Sequence, residues 1–288
     1  MVRCCILLAA LNTRINSMNK TIIGIAAGMG PQAGINLFNN ITKLTAAKTD
    51  QQHLPVVLMS FPGDIADRTE FLEGNESVNP AIAIANVISK LETAGATAVG
   101  IACNTAHAPL IFNVIEEKLD ELKSNVKLLH MPFETCRYIH EKHPEVKKVA
   151  VLCTNGTYKT GIYTNQLAAF GYEVIVPEYN FQNEVIHRAV YDPRFGLKAN
   201  TAGISRRVRI LLQEALQYFK DREAGAVILG CTELSMVLEE GYTEGMWIID
   251  SAMSLARALI RETGIVPFAP CYSRVYSNGQ GVAGKIIN

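Results

Sequence analysis

This 288-residue chain has no C-x-x-C pair, no surplus of either charge and too few cysteines for a disulfide framework. The missing C-x-x-C spacing excludes a zinc ribbon and a thioredoxin-type redox motif. Lys and Arg number 27, as do Asp and Glu, so no net field recruits nucleic acid or an anionic membrane. A small-molecule ligand is the expected partner. The seven cysteines are scattered and odd in number, which suits free thiols in a reducing compartment and points to the cytoplasm. The first twenty residues, "MVRCCILLAALNTRINSMNK", contain an apolar stretch too short to span a bilayer and no A-x-A cleavage site. Residues 1–17 therefore read as an N-terminal extension, with the folded body starting near Met18.

Half of the residues are apolar (49%) and 19% are charged, a balance that suits a folded chain of one large or two ordinary domains. Continuous apolar runs alternate with helical patterns. "KTIIGIAAG" (20–28), "PVVLMSFP" (55–62) and "ATAVGIACN" (96–104) read as buried strands. A helix is expected from about Pro31 to Thr45. Another is expected over 79–95, with proline at its start and glycine at its end. Strands of this kind separated by helices predict a mainly parallel sheet in an α/β fold. The second half repeats the plan: "EVKKVAVLCTNGTY" (145–158) runs into a Gly/Thr turn, and "GAVILGCTE" (225–233) ends at a cysteine. Lys20 and Lys148, Gly28 and Gly156, and Cys103 and Cys231 are each 128 residues apart. Three landmarks at one spacing predict two related lobes. Ligands of parallel sheets bind at the carboxyl ends of strands, so both turns and both cysteines are expected at one shared cleft.

The chemistry such a cleft supports follows from its residue types. A thiolate is a base as well as a nucleophile, and a helix N-terminus favours the charged form. Asn104–Thr105 and Thr232–Glu233 follow the two cysteines with capping side chains and backbone N–H groups suited to a carboxylate. The turns "AAGMGPQAG" and "LCTNGTYKTG" add backbone donors that glycine allows to approach closely. Two thiols on opposite faces of one carbon let one remove a proton while the other delivers one. "GIAAGMGPQAG" does not keep the G-x-G-x-x-G register of a dinucleotide site.

These pieces carry a resemblance. "GIAAGMGPQAG" (24–34), "DRTEFL" (67–72), "ACNTAH" (102–107), "NGTY" (155–158) and "GCTEL" (230–234) resemble the aspartate/glutamate racemase superfamily over nearly the whole body. The resemblance implies two pseudo-symmetric lobes, each a mainly parallel sheet flanked by helices, with the active site between them. It places residues 18–130 with 250–288 in the first lobe and 131–249 in the second. "MWIIDSAMSLARALI" (246–260) would return to the first lobe, and "VKLLHMPFETCRYI" (126–139) would open the second. The resemblance implies a cofactor-independent racemase of aspartate or glutamate, with Cys103 and Cys231 as acid and base; a homodimer is expected only as the commonest assembly of such enzymes. Substrate contacts implied are the turn residues Gly28, Met29 and Gly30, with Asn104, Thr105 and Thr232, and Asn155, Gly156 and Thr157. Arg68 would read a side-chain carboxylate, joined by Arg194 or Lys198. No metal is implied. Hydantoin racemisation, maleate isomerisation and silent binding of a small acid stand as alternatives. The remaining titratable candidates are His107, one helical turn beyond Cys103, and His187; Glu233 is expected to add negative charge to a helix start.

Overall fold

A computed structural model describes residues 21–199 and 203–267 of the chain. The N-terminal extension, Cys4, Cys5, Cys271 and the Gly-rich C-terminal tail lie outside the described residues.

Two sheets organise the structure. The first is fully parallel and runs β2 (Val56–Ser60), β1 (Ile23–Ala27), β3 (Ala98–Ile101), β4 (Lys127–Leu129). The second runs β6 (Glu173–Ile175), β5 (Lys148–Cys153), β7 (Ala226–Gly230), β9 (Met246–Asp250), β8 (Gly241–Thr243). It is parallel except at the β8 edge. The central strands β1, β3 and β7 are buried along their whole length, which explains their unbroken apolar sequence. The expected mixed α/β fold with two helix-flanked parallel sheets is the fold observed.

Helices cover both faces of each sheet. On the first, Ala81–Thr93 and Pro109–Glu121 pack on one face, and Pro31–Leu44 with Ser251–Glu262 on the other. Pro80 caps the helix Ala81–Thr93, and Gly95 beyond its end takes φ +96°, as the sequence signals predict. On the second sheet, Arg206–Lys220 and a helical segment over 179–191 face Met131–Lys142 and Ile162–Ala169 across the strands. The middle of that segment, Gln182–His187, is a π-helix.

Three local expectations differ from the structure. The segment 246–260 divides: its first half is β9, paired with β7 in the second sheet, and only the helix Ser251–Glu262 crosses to the first. The apolar stripe Leu255, Ala256, Leu259 and Ile260 makes that crossing, burying itself against Ile23, Ile25 and Leu37. The strand-end cysteines are followed by 3-10 turns, Thr105–His107 and Thr232–Met236, instead of α-helices. Finally, the 128-residue repeat holds for the cysteines but not for the glycines. Gly100 lies opposite Ile25, and its counterpart Ile228 lies opposite Val151. Matching the ladders therefore sets Gly28 on Thr154, two residues before Gly156.

Candidate active site

The carboxyl ends of β1, β3, β5 and β7 meet between the sheets around about 240 Å³ of open space. Met29, Arg68, Cys103, Asn104 and Thr105 line it from the first lobe. Thr154, Tyr191, Lys198, Cys231, Thr232 and Glu233 line it from the second. Another cavity, of about 310 Å³ beside β5 and β6, is lined mainly by Val151, Val174, Ile175, Val176 and tyrosine rings. It gathers no charged side chain, so of these two spaces the interlobe one carries the chemistry.

Each thiol is a free, buried cysteine placed by the end of a central strand. Cys231 Sγ donates to Glu233 Oε2 at 3.0 Å, and burial followed by the Glu233 charge pushes this thiol well above the ordinary cysteine range. Glu233 Oε1 accepts from Lys198 Nζ at 2.6 Å. Burial opposes charge on Glu233, but Lys198 and the thiol contact bring it below the ordinary carboxylate range. Burial likewise opposes charge on Lys198, and Glu233 raises it overall.

Arg68 opens the short helix Arg68–Glu73, which Asp67 caps by accepting from Thr69 N and Glu70 N. The guanidinium donates to Met29 O at 2.8 Å and Ala66 O at 3.0 Å, and its buried Nε has no partner. Burial opposes its charge, but Cys103, Asp67 and Tyr191 keep it charged beyond an ordinary arginine. The two thiols therefore have opposite neighbours: a guanidinium faces Cys103 and a carboxylate faces Cys231.

The structure sorts the remaining sequence candidates. Lys198, not Arg194, reaches the cavity: Leu197 is buried, the chain folds back with Lys198 N on Val190 O, and the ammonium turns inward. Arg194 points outward, 75% exposed, beside Asp192. Gly28, at φ +108°, stands behind the cavity, where a Cβ would lie 2.9 Å from Phe61 N. That turn presents the Met29 carbonyl to both cations, and Gly30 faces Glu233. Asn104 does not cap the following turn; its side chain donates to Ser251 Oγ and accepts from Tyr163 Oη. Thr105 Oγ1 shares hydrogen bonds with Thr154 (3.2 Å) and Thr157 (2.9 Å), joining the lobes by hydroxyls. Asn155 is drawn away, its N–H to His187 Nδ1 and its amide to Asn183. Gly156 packs closely under Thr69 and Thr105.

His107 Nδ1 donates to the carbonyl of Cys103, and the ring stacks on Phe112. Burial, with His130 adding, pushes its pKa down to about 3, so it is a neutral brace for the strand end. His187 accepts from the backbone and stacks on Tyr191. Tyr191 and Thr154 are lining residues that sequence reasoning missed, and Glu233 does more than charge a helix start. Glu233 was within reach of a local argument, being two residues from Cys231. Tyr191 carries no sequence signal.

Fold and cavity together define a two-lobed α/β enzyme of the racemase class. The chain belongs to the Asp/Glu/hydantoin racemase family, whose family model matches residues 27–259. It is 30% identical over 246 residues to the broad specificity amino-acid racemase RacX of Bacillus subtilis, covering 83% of this chain and 96% of that protein. Among solved structures, it resembles the Picrophilus torridus aspartate racemase at 30% identity and a TM-score of 0.69, covering 85% of this chain and 94% of the other. The glutamate racemase of Francisella tularensis, solved with D-glutamate, shares the fold at 17% identity and a TM-score of 0.56, with 86% and 84% covered.

Proposed function

We propose that this chain racemises acidic amino acids, aspartate and glutamate, without a cofactor, with Cys103 and Cys231 exchanging the Cα proton from opposite sides. One thiolate takes the proton, the electron pair passes into the α-carboxylate, and the other thiol delivers a proton to the opposite face. The observation that carries this reading is the presence of two buried thiols, one from each lobe, on one small cavity. Backbone around Asn104, Thr105 and Thr232 would hold the α-carboxylate. Arg68 and Lys198 would hold the side-chain carboxylate, since the two cations converge from opposite lobes on one acceptor, the Met29 carbonyl, beside the cavity. The relatives named as aspartate racemase and broad specificity amino-acid racemase support an amino-acid substrate. A cytoplasmic homodimer belongs to the same proposal, checked by cell fractionation and by light scattering of the purified chain.

Proton NMR of the protein with L-Asp, L-Glu and neutral L-amino acids in D₂O tests the reading. Loss of the Cα–H signal with appearance of the D-isomer is expected, fastest for the acidic pair. No exchange with any amino acid overturns it.

A further inference from the structure

The proton inventory around Cys231 is fixed by hydrogen-bond chemistry. An ionised carboxylate only accepts, so the contact of 3.0 Å between Cys231 Sγ and Glu233 Oε2 requires the sulfur to carry its hydrogen. Glu233 is held in the ionised form from its other oxygen by Lys198 Nζ at 2.6 Å, and Thr232 Oγ1 donates to Oε2 at 3.3 Å. The other charged or titratable side chains lining the cavity are Tyr191, Arg68 and Cys103. Asp67 lies behind them, against Arg68 and the Tyr191 hydroxyl. Of all these groups, Glu233 is the one that accepts a hydrogen from Cys231. Cys103 instead faces the Arg68 guanidinium, which only donates.

We propose that Glu233 is a positioning residue that holds Cys231 as the thiol in the resting enzyme, making Cys231 the first proton donor and Cys103 the first base. This rests on the two-thiol racemase reading and adds a direction to it. In the first turnover the Cα–H bond breaks and an S–H bond forms on Cys103. The electron pair enters the carboxylate and returns as Cα takes the proton of Cys231, which ends as the thiolate. The enantiomer that points its Cα–H at Cys103 is accepted by the resting enzyme directly. The other must await transfer of the proton between the thiols. Because two enantiomers are equal in free energy, kcat/KM stays equal in both directions while kcat and KM differ separately.

Alkylation tests the inference without any appeal to turnover, because iodoacetamide reacts with thiolate and not with thiol. The rate at Cys231 is followed against pH by the mass of the peptide that carries it, in the parent chain, in Glu233→Gln and in Tyr191→Phe. In the parent the midpoint is expected above that of a free cysteine, about 8.5. In Glu233→Gln it should fall by about one pH unit or more, a roughly tenfold gain in rate at pH 8. In Tyr191→Phe it should not fall, since that variant removes a hydroxyl from the same cavity and leaves the Glu233–Lys198 pair in place. A parent midpoint below that of free cysteine overturns the proposal without any variant. So does an unchanged midpoint in Glu233→Gln, or an equal fall in both variants, which is the mark of loosened packing alone. For turnover, the alkaline limb of kcat/KM in Glu233→Gln should move to lower pH with the alkylation midpoint. If the parent racemises nothing while the alkylation pattern holds, the racemase reading fails and the role of Glu233 in holding the proton stands.

Discussion

Arg68 and Lys198 reach the carbonyl oxygen of Met29 from opposite lobes, at 2.8 and 3.4 Å. Two cations on one neutral acceptor repel each other, and Asp67 beside Arg68 and Glu233 beside Lys198 offset that repulsion. On the proposed reading, a substrate carboxylate would supply the charge that the Met29 carbonyl lacks.

Removing either cation should therefore act on acidic substrates first. Arg68→Leu and Lys198→Met are each expected to lower kcat/KM for aspartate by about 10² to 10³, the loss typical of cutting one partner from a buried charged contact. The loss for alanine or methionine should be smaller. Steady-state kinetics with both substrate types checks this, and equal losses would remove the side-chain role.

The thiols themselves make a sharper prediction. Cys103→Ser and Cys231→Ser should each lower racemisation by about 10² to 10⁴, the range of a positioned acid or base. Cys136→Ala should keep it. Cys136 lies in the core of the second lobe, away from the cavity, and burial raises its pKa to about 12. Polarimetry on the three variants separates a working thiol from a packing one.

What could be read in the sequence depended on how local the cause was. The cysteines were legible because an apolar run ending in Cys-Asn or Cys-Thr is a strand end, and two such ends imply one cleft. Lys198 and Arg194 were not separable, because the choice between them is made by a turn that folds back on Val190 and buries Leu197. Tyr191 was invisible for a similar reason: its hydroxyl meets Asp67, 124 residues away, only once the lobes close. The glycine repeat misled because sequence spacing ignores ladder register, and the register puts Thr154, not Gly156, opposite Gly28 in the pseudo-symmetry.

Gly156 earns its place differently. A Cβ there would lie 3.0 Å from Thr105 Cγ2 and Thr69 Oγ1, and 3.1 Å from Thr69 Cα. All three belong to the other lobe, so Gly156→Ala should wedge the lobes apart and stretch the Thr105–Thr154 and Thr105–Thr157 contacts. The cost expected is about 1 to 3 kcal/mol of stability, the range for overpacking a tight contact. Racemisation should fall with it. Urea unfolding and kinetics on one preparation check both, and an unperturbed variant would mean that the lobes close with slack.

Asp250 gives a prediction in pH. It ends β9, accepts from Ala252 N to cap the helix that returns to the first lobe, and donates its own N–H to Glu240 Oε2. Burial and the neighbouring Glu240 raise its pKa to about 6 from 3.8. The native state then keeps the Asp250 proton through a window in which the unfolded chain has released it. Stability from this group is full below the unfolded value, falls as pH rises from about 4 to 6, and stays reduced above. The whole cost is about 3 kcal/mol for a two-unit shift. Asp250→Asn keeps an oxygen for the cap and removes the charge, so the variant should lose that slope. Urea midpoints at pH 4.5 and 7.5 measure it: the parent should fall between them by about 2 kcal/mol more than the variant. An equal fall would mean that Arg257, which pairs with Glu240 at 2.5 Å, already neutralises the carboxylate pair.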